Sequence, residues 1–500
     1  MTLKMDRAAI ADVVSKVSFR IQAFIGGRFV DAASGKTFPT DNPATGQVLA
    51  QIAECDQRDV NLAVQCAREA FEKGHWSRMS PADRKRVLLK LADLIEENGA
   101  ELAVLDALEA GKPINDCVTI DVPETADCIA WHAEAVDKLY DQISPTGPGN
   151  LGLIVREPMG VVGAVIPWNF PALMAAWKLG PALATGNSVV LKPAEQTSLS
   201  ALRLAELAAE AGLPDGVLNV VPGFGETAGQ AVGRHMEVDA VSFTGSTEVG
   251  RMFLRYSAES NLKRIVLECG GKSPQIVMAD VADLDAVAEH VVNAIFWNMG
   301  ENCSAGSRLI VHKAVKDELL EKIVALTKQW IVGDPLDPAT KIGALIERRH
   351  MEKVLSYIEA GKAEGAELIL GGNRMLLDSG GYFVEPTIFD KVNNDMKIAQ
   401  EEIFGPVLAT IVFEKEDEAI ALANDTTYGL AASLYTDNVN VAHRVARALK
   451  AGTVSVNCYS EGDITTPFGG FKQSGFGGRD NGVHAHDQYT EIKTIWMQFS

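Results

Sequence analysis

Five hundred residues are more than one ordinary core serves, so two or three domains are expected. Apolar residues make up 47% and charged residues 22%, which excludes a disordered chain. The formal charge of −20 excludes nucleic acid or an anionic membrane surface as the main partner.

Along the chain, Phe24-Ile25-Gly26-Gly27-Arg28-Phe29-Val30 predicts a hairpin turning at the double glycine. Residues 57–75 and 81–108 have helical apolar spacing, and Ser80-Pro81-Ala82-Asp83 signals the second start. From residue 160 the texture changes. Residues 161–166, 188–193, 217–221 and 240–244 read as buried strands, and each leads through a turn into a helical pattern such as 198–212. Four strand–helix alternations predict a parallel sheet with crossover helices. A second alternation runs from Gln275 to about residue 455 and holds long helices at 282–297 and 314–330. The last segment, Tyr489 to Trp496, alternates like an edge strand, which needs cover from another subunit.

The seven cysteines, at 55, 66, 117, 128, 269, 303 and 458, are odd in number, show no CxxC spacing and have no histidine cluster beside them. That pattern excludes a disulfide framework and a zinc site, so no metal is expected, and it fits a reducing compartment. No signal peptide is evident, and no stretch reaches the roughly 18 apolar residues of a membrane span, so a cytoplasmic protein is expected.

One cysteine stands apart. Trp297-Asn298-Met299-Gly300-Glu301-Asn302-Cys303-Ser304-Ala305-Gly306 sets Cys303 among small and polar residues between two glycines, the texture of a loop and not of a core. A sulfur nucleophile needs a base and a shaped carbonyl site. Glu268 closes an apolar run at the double glycine Gly270-Gly271, and Asn169 sits on the rigid Pro167-Trp168-Asn169-Phe170-Pro171 loop as a candidate oxyanion donor. Each has a plainer alternative at this point: a free structural thiol, a solvated glutamate, a helix-capping asparagine. For a dinucleotide, Gly223-x-Gly225 and Thr244-Gly245-Ser246 lack the full Gly-x-Gly-x-x-Gly fingerprint, and tight strand-to-helix turns explain them equally well. Ser246 opens a helix, whose free N–H groups suit a pyrophosphate. Lys192 and Glu195 follow the second strand, where a carboxylate binds ribose hydroxyls and repels a 2′-phosphate. Glu402 is ambiguous on its own.

Taken together and in order, Pro167–Pro171, Phe243-Thr244-Gly245-Ser246, Leu267-Glu268-Cys269-Gly270-Gly271-Lys272, Gly300-Glu301-Asn302-Cys303, Glu402-Ile403-Phe404-Gly405-Pro406 and Pro467-Phe468-Gly469-Gly470-Phe471-Lys472-Gln473-Ser474-Gly475 resemble the NAD(P)-dependent aldehyde dehydrogenase superfamily. The resemblance runs from about residue 20 to the end. The segment around Tyr459-Ser460-Glu461-Gly462-Asp463 is similar to bacterial aminoaldehyde enzymes acting on γ-glutamyl-γ-aminobutyraldehyde or 4-guanidinobutyraldehyde.

The resemblance implies an α/β fold. Residues 1–139 and 160–269 would form a doubly wound Rossmann-type NAD-binding domain, 270–470 an α/β catalytic domain, and 140–159 with 471–500 a small β oligomerisation element. It implies that Cys303 attacks an aldehyde, Asn169 and the Cys303 N–H receive the oxyanion, and Glu268 activates water against the thioester. Glu402 would hold the nicotinamide ribose, and Lys192 and Glu195 the adenosine ribose. Ile166, Trp168, Gly225, Gly245, Ser246 and Phe404 would complete the cofactor cleft, with NAD the expected cofactor and NADP left open. Phe170, Trp177, Phe296 and Phe468 would line the substrate tunnel. Asp463 is the expected acidic group at its mouth, with Glu461 and Asp121 nearby; capping of a turn is the alternative for Asp463. Two departures stand out: Cys269 where leucine is common, and Glu301 where glutamine is common. The expected partners are a small aldehyde, in particular an aminoaldehyde, and further copies of the chain, as a homotetramer. Other readings stay open: a broad-specificity aliphatic or betaine-type aldehyde dehydrogenase, a CoA-acylating enzyme, which Glu268 argues against, and a silent structural protein, which intact Cys303, Glu268 and Asn169 argue against.

Overall fold

The computed structural model describes residues 5–460 and 462–499. Two large sheets carry the fold. The first has eight strands in the order Arg28–Val30, Ala23–Ile25, Leu218–Val220, Ser188–Lys192, Val161–Val165, Ala240–Thr244, Arg264–Glu268 and Gly475–Phe476. Its central five are parallel, and antiparallel pairs close both edges. The central strands are fully buried, which is why they read as continuous Val, Ala and Leu runs with no alternation. Chain order reverses at Val161–Val165, with the second strand on one side and the fourth on the other. Such a switch point opens a crevice at the carboxyl ends of the strands.

The second sheet has seven strands, in the order Glu367–Leu370, Thr387–Asp390, Val407–Phe413, Arg308–His312, Pro274–Val277, Ala431–Tyr435 and Thr453–Val456. Each sheet is packed into its own apolar core. A third, three-stranded sheet places Asn150–Pro158 between Gln142–Ser144 and the final strand Thr490–Gln498. Gly475–Phe476 therefore pairs with the first sheet, although it falls within the segment 471–500 expected to oligomerise.

The long helix expected over 81–108 is two helices, Pro81–Glu97 and Gly99–Ala110. Asn98 breaks it: its φ/ψ of −100°/16° leave the helix, and its Nδ2 donates to the Leu94 carbonyl at 2.8 Å. Asparagine bonds its own backbone in this way, and apolar periodicity does not register it. Among the described residues, no helix is long and apolar enough to cross a membrane, no acidic, histidine and cysteine cluster could hold a metal, and all seven cysteines are free thiols.

Candidate active site

A cavity of about 290 Å³ opens where the first sheet's strand ends meet the second sheet. Each wall follows from a local element. Glu268 ends strand Arg264–Glu268, Thr244 ends its parallel neighbour, and the Pro167–Phe170 turn follows Val161–Val165. Cys303 comes from the opposite side, on the loop between helix Leu284–Phe296 and strand Arg308–His312. Cys303, Glu268 and Asn169 all line this one cavity, together with Trp168, Gly245, Ser246, Glu402 and Phe404.

The nucleophile-bearing loop is reached through a strained turn. Asn298 and Met299 lie in the left-handed region, at φ 51° and 57°. Left-handed non-glycine residues cost on the order of 1 kcal/mol or more each and persist only when the surroundings hold them. Here Met299 is buried in the second core. The Asn298 Nδ2 donates to the carbonyls of Glu301 at 2.9 Å and of Asn169 at 3.3 Å. Asn169 in turn donates from Nδ2 to the Glu301 carbonyl at 2.9 Å, and its own carbonyl also accepts from Lys112 at 3.0 Å. The Asn169 turn and the Cys303 loop are thus bolted to one another.

Glu268 is 2% exposed. Its Oε2 accepts from the Gly470 N–H at 3.3 Å, and its Oε1 meets no hydrogen-bond partner among the described residues. Burial pushes its carboxyl well above the usual range, and the nearby charge of Asp480 adds to this; Lys178 and Arg479 pull the other way. Lys178 and Asp480 themselves form a fully buried ion pair at 2.5 Å. Glu402 is also raised by burial, against the Gly271 N–H, which donates to its Oε1 at 2.9 Å. A side chain at position 270 would collide with the Glu402 carboxylate, so this glycine is there for close approach. The His350 Nε2–H donates to the Phe404 carbonyl at 2.6 Å, and the ring packs edge-on to Trp168 at 5.4 Å. Burial takes it down to about 4, so it stays neutral.

Both departures from the family pattern have physical explanations. Glu301 is 1% exposed, and burial raises its carboxyl well above the usual range. Burial thus favours the neutral acid, the form closest in shape and charge to glutamine. The Cys269 thiol is pushed up to about 12, first by burial and then by Glu268. A thiol kept protonated is a poor nucleophile and resists oxidation.

Toward solvent, Phe170, Leu173, Trp177, Trp297 and Phe468 narrow the cavity; Trp177 meets Phe468 edge-on at 5.0 Å, and Phe170 meets Trp297 at 5.3 Å. Beyond lies an outer chamber of about 510 Å³, and Glu124, Trp177 and Trp297 line both spaces. Glu124, Asp127 and Asp463 give the outer chamber three carboxylates, and its lining among the described residues includes no lysine or arginine.

Several expected residues lie elsewhere. Phe296 is fully buried in the second core against Trp330, and its neighbour Trp297 faces the tunnel instead. Asp121 is not at the mouth: it pairs with Lys112 at 2.6 Å, both side chains essentially unexposed. The π turn Cys117–Asp121 turns it inward, while Ile120, Glu124, Asp127 and Cys128, a single helical face, line the outer chamber. Ile166 is packed in the first core at 3% exposure and is absent from the cavity wall. Asp463 does line the outer chamber, and its Oδ1 also accepts from the Thr465 N–H at 2.8 Å and hydroxyl at 2.5 Å, so turn capping and a place at the mouth coexist. Glu461 lies outside the described residues. Glu124 and Asp127 went unnoticed in the sequence; their spacing from Ile120 and Cys128 is the signal that marks them.

At the other end, Lys192 and Glu195 form an ion pair at 3.0 Å past the second strand. Ser246 caps helix Thr247–Ala258, accepting from the Val249 N–H at 3.3 Å. Gly225 opens the turn after the third strand, and a Cβ there would meet open space.

Comparison with known proteins agrees with this geometry. The model of the aldehyde dehydrogenase family matches residues 29–495. The chain is 56% identical to an aminoacetaldehyde dehydrogenase of Pseudomonas aeruginosa across the full length of both. It superposes with a TM-score of 0.98 on an indole-3-acetaldehyde dehydrogenase in complex with NAD+, at 52% identity, covering 99% of this chain and 100% of the other. It superposes at 0.97 on a γ-glutamyl-γ-aminobutyraldehyde dehydrogenase from Burkholderia cenocepacia, at 51% identity and the same coverage. With the motifs in register along both sheets and one cavity gathering their side chains, the chain belongs to the aldehyde dehydrogenase family.

Proposed function

We propose that the protein oxidises cationic aldehydes, ω-amino- or guanidinoaldehydes of the kind released in polyamine or arginine breakdown, to carboxylates with NAD. The observation that carries this reading is the pair of connected spaces: Cys303, Glu268 and Asn169 at the inner one, and an acidic, aromatic outer one without a basic residue in its described lining. Aminoaldehyde-type relatives support the same substrate class.

The residues fit the cofactor. The open space at Gly225, the Lys192–Glu195 pair and the Ser246 helix start suit the adenosine and pyrophosphate. The buried Glu402 carboxylate in the cavity suits the nicotinamide ribose. When bound, NAD supplies the acceptor for the hydride that leaves the substrate carbon.

The protein's own part runs in three stages. The Cys303 sulfur, as thiolate, bonds the aldehyde carbon, and the carbonyl π pair moves onto the oxygen as an oxyanion. Asn169 spends one Nδ2–H on the Glu301 carbonyl and has its second for that oxyanion, beside the Cys303 N–H. Loss of hydride leaves a thioester. Glu268 takes a proton from water, the hydroxide adds to the thioester carbon, and sulfur departs as thiolate with the carboxylate product.

The test is an ω-aminoaldehyde against the uncharged aldehyde of equal length. The cationic substrate should have the higher kcat/KM. Glu124→Gln should raise its KM by up to about fivefold, the scale of a partly exposed charge contact, and leave the neutral one alone. Asp463→Asn should do the same more weakly, since Thr465 already engages its Oδ1. Equal losses for both substrates would leave a broad-range aldehyde dehydrogenase as the reading.

Cofactor choice tests Glu195. Its negative charge near a ribose 2′ position favours NAD over NADP, and Glu195→Gln should narrow the ratio of the two efficiencies about tenfold. A wild-type enzyme that uses NADP equally well contradicts the assignment.

We also propose a homotetramer working in the cytoplasm. Strand Thr490–Gln498 is an edge strand, with Ile492 and Trp496 64% and 60% exposed in the isolated chain. Light scattering should give about four times the 53.7 kDa chain mass, and a stable monomer contradicts it. We assign residues 1–139 and 160–269 to cofactor binding, 270–470 to catalysis, and 140–159 with 471–500 to assembly.

A further inference from the structure

The Cys303 sulfur lies 3.8 Å from Oδ1 of Asn302, within reach of a thiol hydrogen bond. The orientation of that amide is fixed at both ends. Oδ1 also accepts from the Ser304 N–H at 3.3 Å, which only an oxygen can do, and Nδ2 donates to the Tyr459 hydroxyl at 2.9 Å. The Tyr459 hydroxyl also lies 3.3 Å from the Ser304 hydroxyl. Asn302 itself is 4% exposed. Tyr459 is carried on a pinned turn. Asn457 before it takes a left-handed φ of 57°, and its amide bonds both the N–H and the carbonyl of Thr436, which follows strand Ala431–Tyr435 of the second sheet. Tyr459 also lines the outer chamber.

We propose that Asn302, held by Ser304 and Tyr459, is a positioning residue that keeps the resting Cys303 sulfur as a thiol pointed at its amide oxygen. An acceptor oxygen aimed at sulfur favours S–H and disfavours S⁻. The nucleophile is thereby kept quiet until substrate and cofactor rearrange its surroundings. The proposal rests on Cys303 being the nucleophile.

The test is alkylation of the full-length enzyme by iodoacetamide across pH, without aldehyde, with modification at Cys303 read by peptide mass spectrometry. Thiolate is the reacting form, so the rate reports how the sulfur's proton is held. Asn302→Leu removes the acceptor and should speed alkylation at neutral pH about threefold. Asn302→Asp places a negative charge there and should slow it about tenfold. Tyr459→Phe should speed it less than Asn302→Leu, and add nothing in the Asn302→Leu background. Opposite signs for the two Asn302 variants, at matched melting temperature, are what a purely structural role would not give. Unchanged profiles, or slowing in all three variants, overturn the proposal. A wild-type Cys303 that resists alkylation at every pH overturns the nucleophile assignment itself, and the proposal with it.

Discussion

Cys303→Ala should abolish turnover, by at least roughly 10⁴-fold, with the melting profile close to wild type. No other group in the cavity can replace the sulfur. Cys269 also lines it, but its thiol, pushed up to about 12, stays protonated at working pH. Cys303 is only half-buried, so losing its sulfur leaves little cavity and costs little stability. Formation of reduced cofactor measures the loss. Turnover near the wild-type rate would remove Cys303 from the reaction.

Glu268→Gln should show two separable effects. Steady-state turnover falls roughly 10²–10⁴-fold, because the amide cannot take a proton from water. Stability moves the other way, and its pH dependence identifies the cause. Burial raises the folded-state pKa of Glu268, so the folded chain holds this proton more tightly than the unfolded chain does. That contribution to stability is fully present below the ordinary carboxylate range. It is lost as pH climbs through the raised value, at up to about 1.4 kcal/mol per pH unit. Glutamine does not titrate. The variant should therefore match wild type in acid and melt progressively higher than wild type as pH rises. Melting curves at a series of pH values check this, and a constant difference would mean that burial does not set the behaviour of this carboxyl. In wild type the same raised pKa makes hydrolysis fall as pH drops, since only the ionised carboxylate acts as a base.

Much of this site is legible in the chain, and what is hidden has identifiable causes. Buried parallel strands announce themselves as unbroken apolar runs, so Val161–Val165, Ser188–Lys192 and Ala240–Thr244 fall within a residue or two of their expected positions. Asn169 follows one such run, Glu268 ends strand Arg264–Glu268, Cys303 sits on its own loop, and the three, expected together, line one cavity. Side-chain direction is harder to see. Phe296 and Trp297 are adjacent large aromatics, and the end of helix Leu284–Phe296 falls between them, so that the first enters the core and the second the tunnel. Asp121 is misplaced for a related reason, since the π turn Cys117–Asp121 shifts the helical phase and brings Asp121 to Lys112. Glu124 goes unseen because an exposed helical glutamate is ordinary until the opposite wall of a chamber is known. The Ile166 side chain belongs to the core, a direction that its motif does not reveal.

The central claim is that substrate carbon passes through a covalent bond to Cys303 and is freed by Glu268. Intact-protein mass spectrometry of Glu268→Gln, quenched in acid after mixing with NAD and an ω-aminoaldehyde, tests it most directly. The account predicts a mass increase equal to one acyl group, located to the Cys303 peptide and lost when Cys303→Ala is added. An unmodified chain during continuing production of reduced cofactor, or an adduct on a different residue, would contradict it.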